Sequence, residues 1–277
     1  RGLMGAWARP YQAVFRARFH LLVQYRAAAL AGFATQCWWG AIKVMVFAAF
    51  LRGAVASPMT LREAVDYIWL GQAFLTLLPW TADPELARMV RTGDVAYERL
   101  RPLDTYAFWY ARAVARRTAT PLLRAIPMVL TAGVLLPLVG LGTWGLAAPH
   151  GMDAAGLFAV SMVVCVALSS AFSTLLDTLV VASLSERGVN TIMGPLAIVF
   201  SGNLVPLPLL PDWLQPVMRY QPFAGLLDTP FRIYSGHLAG WDAGAALCRQ
   251  VFWVVALIVL GRLFMRRVMA RLQTQGG

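Results

Sequence analysis

The chain has 277 residues, of which 59 % are hydrophobic and 13 % are charged, and its mean hydropathy is +0.62. A soluble domain is about 45–50 % apolar and about 25 % charged, so this chain has too few charges to cover its own apolar surface. The composition excludes an ordinary soluble enzyme, a disordered segment and a nucleic-acid-binding module, in spite of a formal net charge of +11. It predicts an all-α integral membrane protein with a single membrane domain.

The first 26 residues predict an amphipathic helix that lies on the membrane surface. At 100° per residue, apolar side chains fall on one face and polar side chains on the other, although Arg18 lies on the apolar side. The apolar face has Trp7, Tyr11, Val14, Phe15 and Leu22, and the polar face has Arg9, Gln12, Arg16 and His20. The alternative is a plain cytoplasmic lead-in whose arginines only fix the topology.

Six segments are apolar enough to cross a bilayer, whose hydrocarbon core needs about 20 residues of helix. They are Ala27–Leu51, Ala64–Trp80, Pro121–Leu141, Ala154–Val181, Asn190–Val205 and Ala245–Met265. The second and fifth segments are short. The sixth is the clearest, because Val251–Leu260 is almost uninterrupted and two arginines follow the segment.

The distribution of basic residues predicts the orientation of these segments. Of the 24 basic residues, 18 fall on the side of the N-terminal segment, the second loop, Arg187 and the C-terminal end. Four fall on the other side, and Lys43 and Arg249 lie within segments. Because basic residues accumulate on the cytoplasmic side, both termini are predicted to be cytoplasmic.

The loop between the second and third segments, residues 83–104, has the signals of a short helix. Asp83 is a helix-capping residue and Gly93 is a natural helix end. A helix is therefore predicted over Pro84–Thr92, followed by a second short turn over Val95–Leu100. A mixture of arginines and apolar anchors suits a protein contact, and it is supplied by Arg88, Met89, Arg91 and Tyr97. The alternative is a solvated loop whose arginines only fix the topology.

Aromatic residues followed by arginines lie over Thr105–Thr118, which predicts an interfacial helix leading into the third segment. Pro127 and Pro137 are expected to kink that segment. A second unusual region, Ser201–Gly236, is apolar but contains six of the 16 prolines. We expect short re-entrant or outer helices there, with Asp212–Met218 as one of them, because irregular backbone at membrane depth needs protein partners.

Catalytic chemistry is scarce in this sequence. The three histidines, His20, His150 and His237, lie in loops or at the surface, and the three cysteines have no metal-ligand spacing. Lys43 follows no glycine-rich phosphate-binding loop. We therefore expect no catalytic residue, metal or cofactor on this chain.

Few ionisable residues lie in or near the segments. Such residues are functional candidates by default. Asp66, Asp177 and Arg249 lie near helix ends, where snorkelling is favoured, whereas Lys43 lies deepest, about 12 Å from Leu51. The uncharged polar residues that suit a path through the membrane are Gln36, Gln72, Asn203 and Gln250. Ordinary hydrogen bonding between helices is the favoured alternative for these four.

Four sets of motifs carry a resemblance to a known family. They are Gln24-Tyr25-Arg26-Ala27, then Tyr67-Ile68-Trp69-Leu70-Gly71-Gln72, then Arg91-Thr92-Gly93-Asp94-Val95 with Leu100-Arg101-Pro102-Leu103-Asp104, and then Ser201-Gly202-Asn203-Leu204-Val205-Pro206 through Leu210-Pro211-Asp212-Trp213-Leu214 to Gln221-Pro222-Phe223 and Tyr234-Ser235-Gly236. With six spans, cytoplasmic termini, a helical cytoplasmic loop and a Pro-rich outer hairpin, they resemble the ABC type-2 permease family. The resemblance covers nearly the whole chain, and it is specific in combination only.

The resemblance implies a permease subunit of an ATP-driven exporter in the bacterial cytoplasmic membrane. Two permease subunits, identical or related, would sit among membrane lipids on two ABC ATPase subunits, which would hold ATP and Mg. Residues 1–26 would be an interface helix beside the ATPase, residues 83–104 a coupling helix, and residues 206–238 an outer hairpin that closes the path. Nucleic acid has no part in such a system.

The mechanism expected from this resemblance assigns two groups of residues. Those that couple the chain to the ATPase would be Glu85, Arg88, Met89, Arg91, Gly93, Asp94 and Tyr97. Those on the translocation path would be Gln36, Lys43, Gln72, Asn203 and Phe223. The scarcity of charge in the segments favours an amphipathic or hydrophobic substrate, such as a lipid, a drug or a peptide-like molecule.

Two other functions are open on the sequence alone. An ion-coupled secondary carrier or channel would need no ATPase and would depend on Lys43, Asp66 or Asp177. An enzyme within the membrane is disfavoured, because the segments lack histidines and paired carboxylates.

Overall fold

The computed structural model describes the backbone of residues 3–24, 26–53, 56–100 and 102–271, and the side chains of these ranges apart from residues 3–8, 26–31 and 99. Within these ranges the regular structure is helical, without strands. The motif residues Tyr25 and Arg101 lie outside the described residues, as do the side chains of Trp7 and Arg26.

The α-helices of the described ranges follow one another with mostly short connections. In chain order they are α1 (Leu3–Val23), α2 (Arg26–Gly53), α3 (Leu61–Ala73), α4 (Pro84–Thr92), α5 (Thr105–Leu130), α6 (Leu136–Leu138), α7 (Met152–Ser183), α8 (Glu186–Phe200), α9 (Gln215–Tyr220), α10 (Asp228–Tyr234) and α11 (Gly240–Arg271). Short 3₁₀ turns lie at Leu75–Leu77, Asp94–Leu100, Gly142–Trp144, Leu207–Leu209 and Pro222–Gly225.

Four helical segments of the described chain are long and apolar enough to cross a membrane. They are Gly32–Gly53, Thr105–Leu138, Met152–Ser183 and Gly240–Arg271. They overlap the first, third, fourth and sixth predicted segments. The prediction of an all-helical chain with long apolar helices, compatible with a membrane location, is therefore confirmed.

The third predicted segment, Pro121–Leu141, corresponds to Thr105–Leu138 in the structure and differs from its prediction at both ends. The residues Thr105–Thr118 are helical, as predicted, and form the first half of α5, which continues without a break into the third predicted segment. The distortion expected from Pro127 and Pro137 is a π-helical turn between them, Thr131–Leu135, which joins α5 to α6. Proline removes a helical N–H donor, and a π-helical turn is one way in which a helix absorbs such a break.

The second and fifth predicted segments correspond to shorter helices, α3 with 13 residues and α8 with 15. At about 1.5 Å per residue, these helices are about 20 and 22 Å long, less than a hydrocarbon core of about 30 Å. Helix α3 continues as the 3₁₀ turn Leu75–Leu77 and then irregular chain, and α8 continues as irregular chain. Six crossings of a membrane therefore stay a prediction.

Helix α3 is the centre of the bundle. Its ten residues from Ala64 to Ala73 are all buried. A helix buried on every side must be surrounded by other helices, and here α2, α5 and α10 pack around it. The core therefore lies around a helix that is too short to span a bilayer alone.

Helix α7 packs closely on its neighbours because small hydroxyl residues line its inner face. The fully buried ones are Ser161, Ser169, Ser170, Ser173, Thr174 and Thr178. Several of them donate to the carbonyl of the preceding turn, as Thr174 Oγ1 does to Ser170 O at 2.9 Å. Small side chains with satisfied hydroxyls let α5, α10 and α11 approach closely.

One end of the bundle contains a second apolar cluster. It is formed by Leu86, Val95, Tyr106, Phe108, Trp109, Val181, Met265, Val268 and Met269, with Tyr11 and Val14 of α1 packed against it. These residues come from α1, α4 and the 3₁₀ turn after it, the start of α5 and the C-terminal ends of α7 and α11. We call this the arginine-rich end, because most of the arginines outside the long apolar stretches lie on these elements.

Candidate functional site

Helix α4 has the predicted bounds, Pro84–Thr92, because both its ends are capped. Asp83 Oδ1 accepts the backbone N–H of Glu85 at 2.9 Å. Gly93 ends the helix with φ = 81°, a left-handed conformation that favours glycine, and its N–H donates to Val90 O. The local sequence thus determines where α4 begins and ends.

The first turn of α4 carries two carboxylates that bind arginines from two other helices. Arg18 of α1 lies 3.4 Å from Asp83 Oδ2 and also pairs with Glu85. Arg112 of α5 lies 3.5 Å from Asp83 Oδ2 and 3.1 Å from Glu85 Oε2. Burial alone would raise the pKa of Asp83, but the neighbouring arginines, Arg116 foremost, and the Glu85 N–H outweigh burial and lower that pKa. These contacts keep Asp83 ionised at neutral pH and fix α4 on α1 and α5.

The backbone just before α4 is held by helices α7 and α8. The Asp83 N–H donates to Asp177 Oδ1 of α7 at 2.8 Å, and the Ala82 N–H donates to Asn190 Oδ1 of α8 at 3.0 Å. The Asp177 side chain is buried, and its Oδ1 accepts this backbone N–H inside the protein. A buried carboxylate needs such donors, so this contact assigns Asp177 a positioning role.

The last turn of α4 reaches the first turn of α8. Arg91 Nη1 lies 2.6 Å from Glu186 Oε2. The Arg91 side chain is 63 % exposed, so this pair is worth little, about 0–1 kcal/mol. It orients the end of α4 without holding it firmly.

The outer face of α4 and of the 3₁₀ turn after it is exposed. Tyr97 is 67 % exposed and Leu100 is 78 % exposed. The other exposed side chains of this surface, which we call the α4 face, are Arg88, Arg91, Thr92 and Asp94. Arginines beside exposed aromatic and aliphatic groups are typical of a protein interface. Two predicted coupling residues lie elsewhere, since Glu85 is used in ion pairs and Met89 is half-buried against the apolar cluster.

Arg117 is a residue whose role the sequence did not reveal. Its Nε donates to Ser173 Oγ at 2.9 Å, and its Nη1 donates to the carbonyl oxygens of Thr76 at 2.6 Å and Leu78 at 3.0 Å. Those two carbonyls belong to the chain after α3, which provides them with no helical N–H. Arg117 thus supplies hydrogen-bond donors to the backbone at the point where α3 has ended. The orientation count groups Arg112 and Arg117 with the second loop, whereas the structure buries both in α5. Arg112 forms ion pairs with Asp83 and Glu85, and the N–H groups of Arg117 are accepted by one hydroxyl and two backbone carbonyls.

Two residues predicted to lie on a path meet where α8 ends. Lys43 Nζ donates to Asn203 O at 2.7 Å. The turn before it needs glycine, because Gly202 has φ = 84° and a Cβ there would overlap the Tyr67 hydroxyl. Tyr67 in turn donates to Asp228 Oδ1 at 3.1 Å. These contacts hold the irregular chain after α8 against α2, α3 and α10.

The other predicted path residues are not gathered at this point. A Cβ built at Gly40 of α2 would lie 3.2 Å from the Gln72 Cγ, so Gln72 faces α2. Gln36 is buried, and neither atom of its amide has a hydrogen-bond partner in the described part of the chain. Phe223 stacks on Phe172 of α7 with ring centroids 4.6 Å apart. The structure therefore brings Lys43 and Asn203 into contact, whereas Gln36, Gln72 and Phe223 lie at separate places in the bundle.

An apolar cavity of about 530 Å³ lies between α2, α3 and the π-helical turn and α6 that continue α5. It is lined among others by Cys37, Trp38, Met45, Trp69, Leu136 and Trp144. Trp69 Nε1 donates to Trp144 O at 2.7 Å, which satisfies the polar atom of that indole. None of the residues that line the cavity is acidic or basic. It suits an apolar molecule or an acyl chain and not an ion.

The buried carboxylate Asp66 lies at the opposite end of the bundle. It pairs with Arg62 and accepts the Ala147 N–H at 2.8 Å. Arg62 Nη1 also donates to Gly142 O at 3.3 Å. Asp66 therefore holds the chain that follows α6 and is not free to bind an ion.

Among the described residues, no group of histidine, cysteine and carboxylate side chains is arranged to hold a metal ion. No protein-family model matches the chain, and no curated protein is significantly similar to it. The function is therefore inferred from the residues and their geometry.

Proposed function

We propose that the chain is the transmembrane permease subunit of an ATP-driven exporter of the ABC type-2 kind. It would move an amphipathic or hydrophobic substrate across the bacterial cytoplasmic membrane, while separate ATPase subunits bind ATP and Mg. The observation that supports this proposal is the attachment of α4. Its outer face is exposed, and its inner side is bonded to α1, α5, α7 and α8.

Six crossings with cytoplasmic termini are consistent with the direction of the helices. Helix α1, helix α4 and the C-terminal end of α11 share the arginine-rich end, and arginines accumulate on the cytoplasmic side of membranes. The chain after α3 reaches this end at α4, and α8 starts there. The irregular backbone that would lie at membrane depth has protein partners, supplied by Arg117 and Lys43.

In this proposal an ATPase subunit binds the α4 face, and ATP binding displaces α4. The displacement pulls α1 and α5 through Arg18 and Arg112, and it pulls α7 and α8 through Asp177 and Asn190. Two of these links are ion pairs and two are hydrogen bonds to the backbone just before α4, so α4 and these helices move together. A second permease, the same chain or a related one, would complete the path.

The apolar cavity supports the proposed class of substrate. Its volume of about 530 Å³ lies in the range of sites for small molecules, about 300–1,000 Å³. Its tryptophans offer aromatic surface without charge. Movement of α5 relative to α2 would change the width of this cavity, which links the α4 contacts to the substrate.

The proposal is tested by purifying the chain from its native membrane in mild detergent. We expect an ATPase of the ABC type to co-purify and to hydrolyse ATP in the complex. The variant Arg88→Asp with Tyr97→Ala should lose both the bound ATPase and the stimulated hydrolysis. The matched control is Arg187→Asp, an exposed arginine at the same end but outside the α4 face. ATP hydrolysis by the chain without a partner would contradict the division of labour.

The ion-coupled carrier is the second candidate, and Lys43 is the observation in its favour. This ammonium group is half-buried in α2 and binds a backbone carbonyl without a carboxylate partner among the described residues. The carrier predicts transport that is driven by an ion gradient and abolished in Lys43→Met. Transport that needs ATP and survives Lys43→Met would exclude it.

A further inference from the structure

A groove of about 450 Å³ lies between the C-terminal ends of α7 and α11. Its walls are apolar, formed by Val181, Leu184, Phe264 and Val268, and it is also lined by Arg267 and Arg271. The α4 face contributes nothing to it. The groove is therefore a second site, separate from the surface to which the ATPase is proposed to bind.

The two arginines of the groove have no acidic partner in the part of the chain that the structure describes. Their neighbour Arg262 lies 3.7 Å from Asp104, but no carboxylate of the described ranges lies within 4.0 Å of Arg267 or Arg271. Both are exposed. They are spaced four residues apart on one helix, so their side chains share a face. Two guanidinium groups on one face match the oxygens of a phosphate group.

The groove lies where the apolar surface of α11 gives way to charge. Exposed apolar side chains occupy the preceding turns, at Val255, Val259, Leu260 and Leu263. From Leu263 to Arg267 the helix rises about 6 Å, at about 1.5 Å per residue. In a bilayer this boundary coincides with the headgroups of one leaflet. The walls would therefore face acyl chains while the arginines face headgroups.

Leu184 adds an independent observation at the groove. It ends α7 with φ = 54°, a left-handed conformation that is uncommon for leucine, and its side chain is 71 % exposed. Covering an exposed leucine with an apolar molecule removes its apolar surface from water, which is favourable and can offset the cost of the strained backbone. Leu184 lines the groove together with the two arginines.

We infer that this groove binds one anionic phospholipid of the leaflet at the arginine-rich end. The phosphate group lies on Arg267 and Arg271, and the upper part of an acyl chain lies against Leu184, Phe264 and Val268. This site requires a membrane around the chain, but it requires no ATPase.

Helix dipoles oppose this binding and do not outweigh the arginines. The C-terminal end of a helix resembles about −0.5 of an elementary charge, and two such ends meet at the groove. Their sum is about −1, against two positive charges on the arginines. The groove therefore stays positive, and a zwitterionic lipid should bind it more weakly than an anionic lipid.

Native mass spectrometry of the purified chain in detergent tests the inference. The probes are phosphatidylglycerol and phosphatidylcholine of the same acyl composition. The unmodified chain should retain one molecule of phosphatidylglycerol in preference to phosphatidylcholine. Because each arginine near a membrane surface contributes about 1 kcal/mol, the variant Arg267→Gln with Arg271→Gln should bind it about 30-fold more weakly.

The matched control is Arg266→Gln with Arg187→Gln, which removes two positive charges from the same end without touching the groove. It should keep the preference. A second variant, Ala182→Trp, fills the groove and should release the lipid while both arginines remain. The inference would be overturned if the control bound phosphatidylglycerol as weakly as Arg267→Gln with Arg271→Gln does. It would also be overturned if the unmodified chain bound both lipids equally well. Since no ATPase is present, neither result depends on the proposed function.

Discussion

Two substitutions of Asp83 separate its two roles at the start of α4. Its Oδ1 accepts the Glu85 N–H as the helix cap, and its Oδ2 faces Arg18 and Arg112. Asp83→Asn keeps an oxygen for the cap but removes the charge. Asp83→Ala removes both. Any loss of stability common to the two variants therefore belongs to the ion pairs.

The expected magnitude follows from the neighbours of Asp83. Removing one member of a fully buried ion pair costs about 3–5 kcal/mol. Here Glu85 stays 3.1 Å from Arg112, and the side chains of Arg112 and Arg18 are 10 % and 22 % exposed. Asp83→Asn should therefore lower the free energy of unfolding by about 1–3 kcal/mol. Asp83→Ala should lower it by about 1 kcal/mol more, for the lost cap.

The effect of Asp83→Asn should depend on pH. The pKa of Asp83 is lower in the folded chain than its usual value, so the ionised carboxylate stabilises the fold above the unfolded-state pKa. This contribution is lost as the pH falls through the folded-state pKa. The difference from the unmodified chain should be complete at pH 7 and should shrink below about pH 4, near the unfolded-state pKa.

Thermal unfolding in detergent, followed by intrinsic tryptophan fluorescence at pH 7 and at about pH 2.5, well below the unfolded-state pKa of about 3.9, measures both effects. The control is Asp94→Asn, which removes an exposed carboxylate close to α4 and should change the midpoint little. If Asp83→Asn unfolds like the unmodified chain at pH 7, the ion pairs do not hold α4. If the two Asp83 variants are equally destabilised, the cap contributes nothing.

Three further predictions concern the bundle. Gly202→Ala should lower the unfolding midpoint, with a loss of at least about 1 kcal/mol, because a left-handed conformation is needed there and a Cβ overlaps Tyr67; an unchanged midpoint would refute this. Arg117→Met removes the side-chain donor of the Thr76 carbonyl and leaves the Leu78 carbonyl with the Trp80 N–H alone, so it should lower the free energy of unfolding by about 2 kcal/mol or more, measured in the same assay. Ala41→Phe fills part of the apolar cavity, so it should reduce transport of a hydrophobic dye in vesicles while partner-stimulated ATP hydrolysis remains.

The elements that the sequence predicts best are those whose signals are local. Asp83 and Gly93 determine the two ends of α4, and both act on backbone groups within a few residues. The bounds of Pro84–Thr92 could therefore be read without knowledge of the rest of the chain. The same holds for the long apolar helices, because a run of about 20 apolar residues is itself the local signal of a helix long enough to cross a membrane.

The contacts that depend on tertiary structure could not be predicted in this way. Arg112 and Arg117 look like loop arginines, because nothing near them in sequence shows that α3 breaks and leaves carbonyls to be bonded. The hydroxyl residues of α7 are the signal that was available, since they include the partner of Arg117, Ser173. A run of serines and threonines in an apolar helix indicates a buried face that takes polar partners.

The predicted functional residues also divide into those whose position follows from local sequence and those whose position depends on packing between helices. Arg88 and Tyr97 are exposed, as their polar or amphipathic character suggests, whereas Met89 is covered by the apolar cluster. The contact between Lys43 and the Asn203 carbonyl joins residues 160 positions apart, so the spacing of residues could not reveal it. Binding surfaces on a capped helix are accessible to sequence reasoning, but packing between helices is not.

The location of α4 tests the central claim most directly. In a chain whose native cysteines are replaced, Thr92→Cys on α4 is compared with Met152→Cys at the start of α7, where Met152 is 89 % exposed. An impermeant thiol reagent added to intact cells should label Cys at position 152 and should label Cys at position 92 only after the membrane is opened. Labelling of position 92 from outside intact cells would contradict a coupling role for α4.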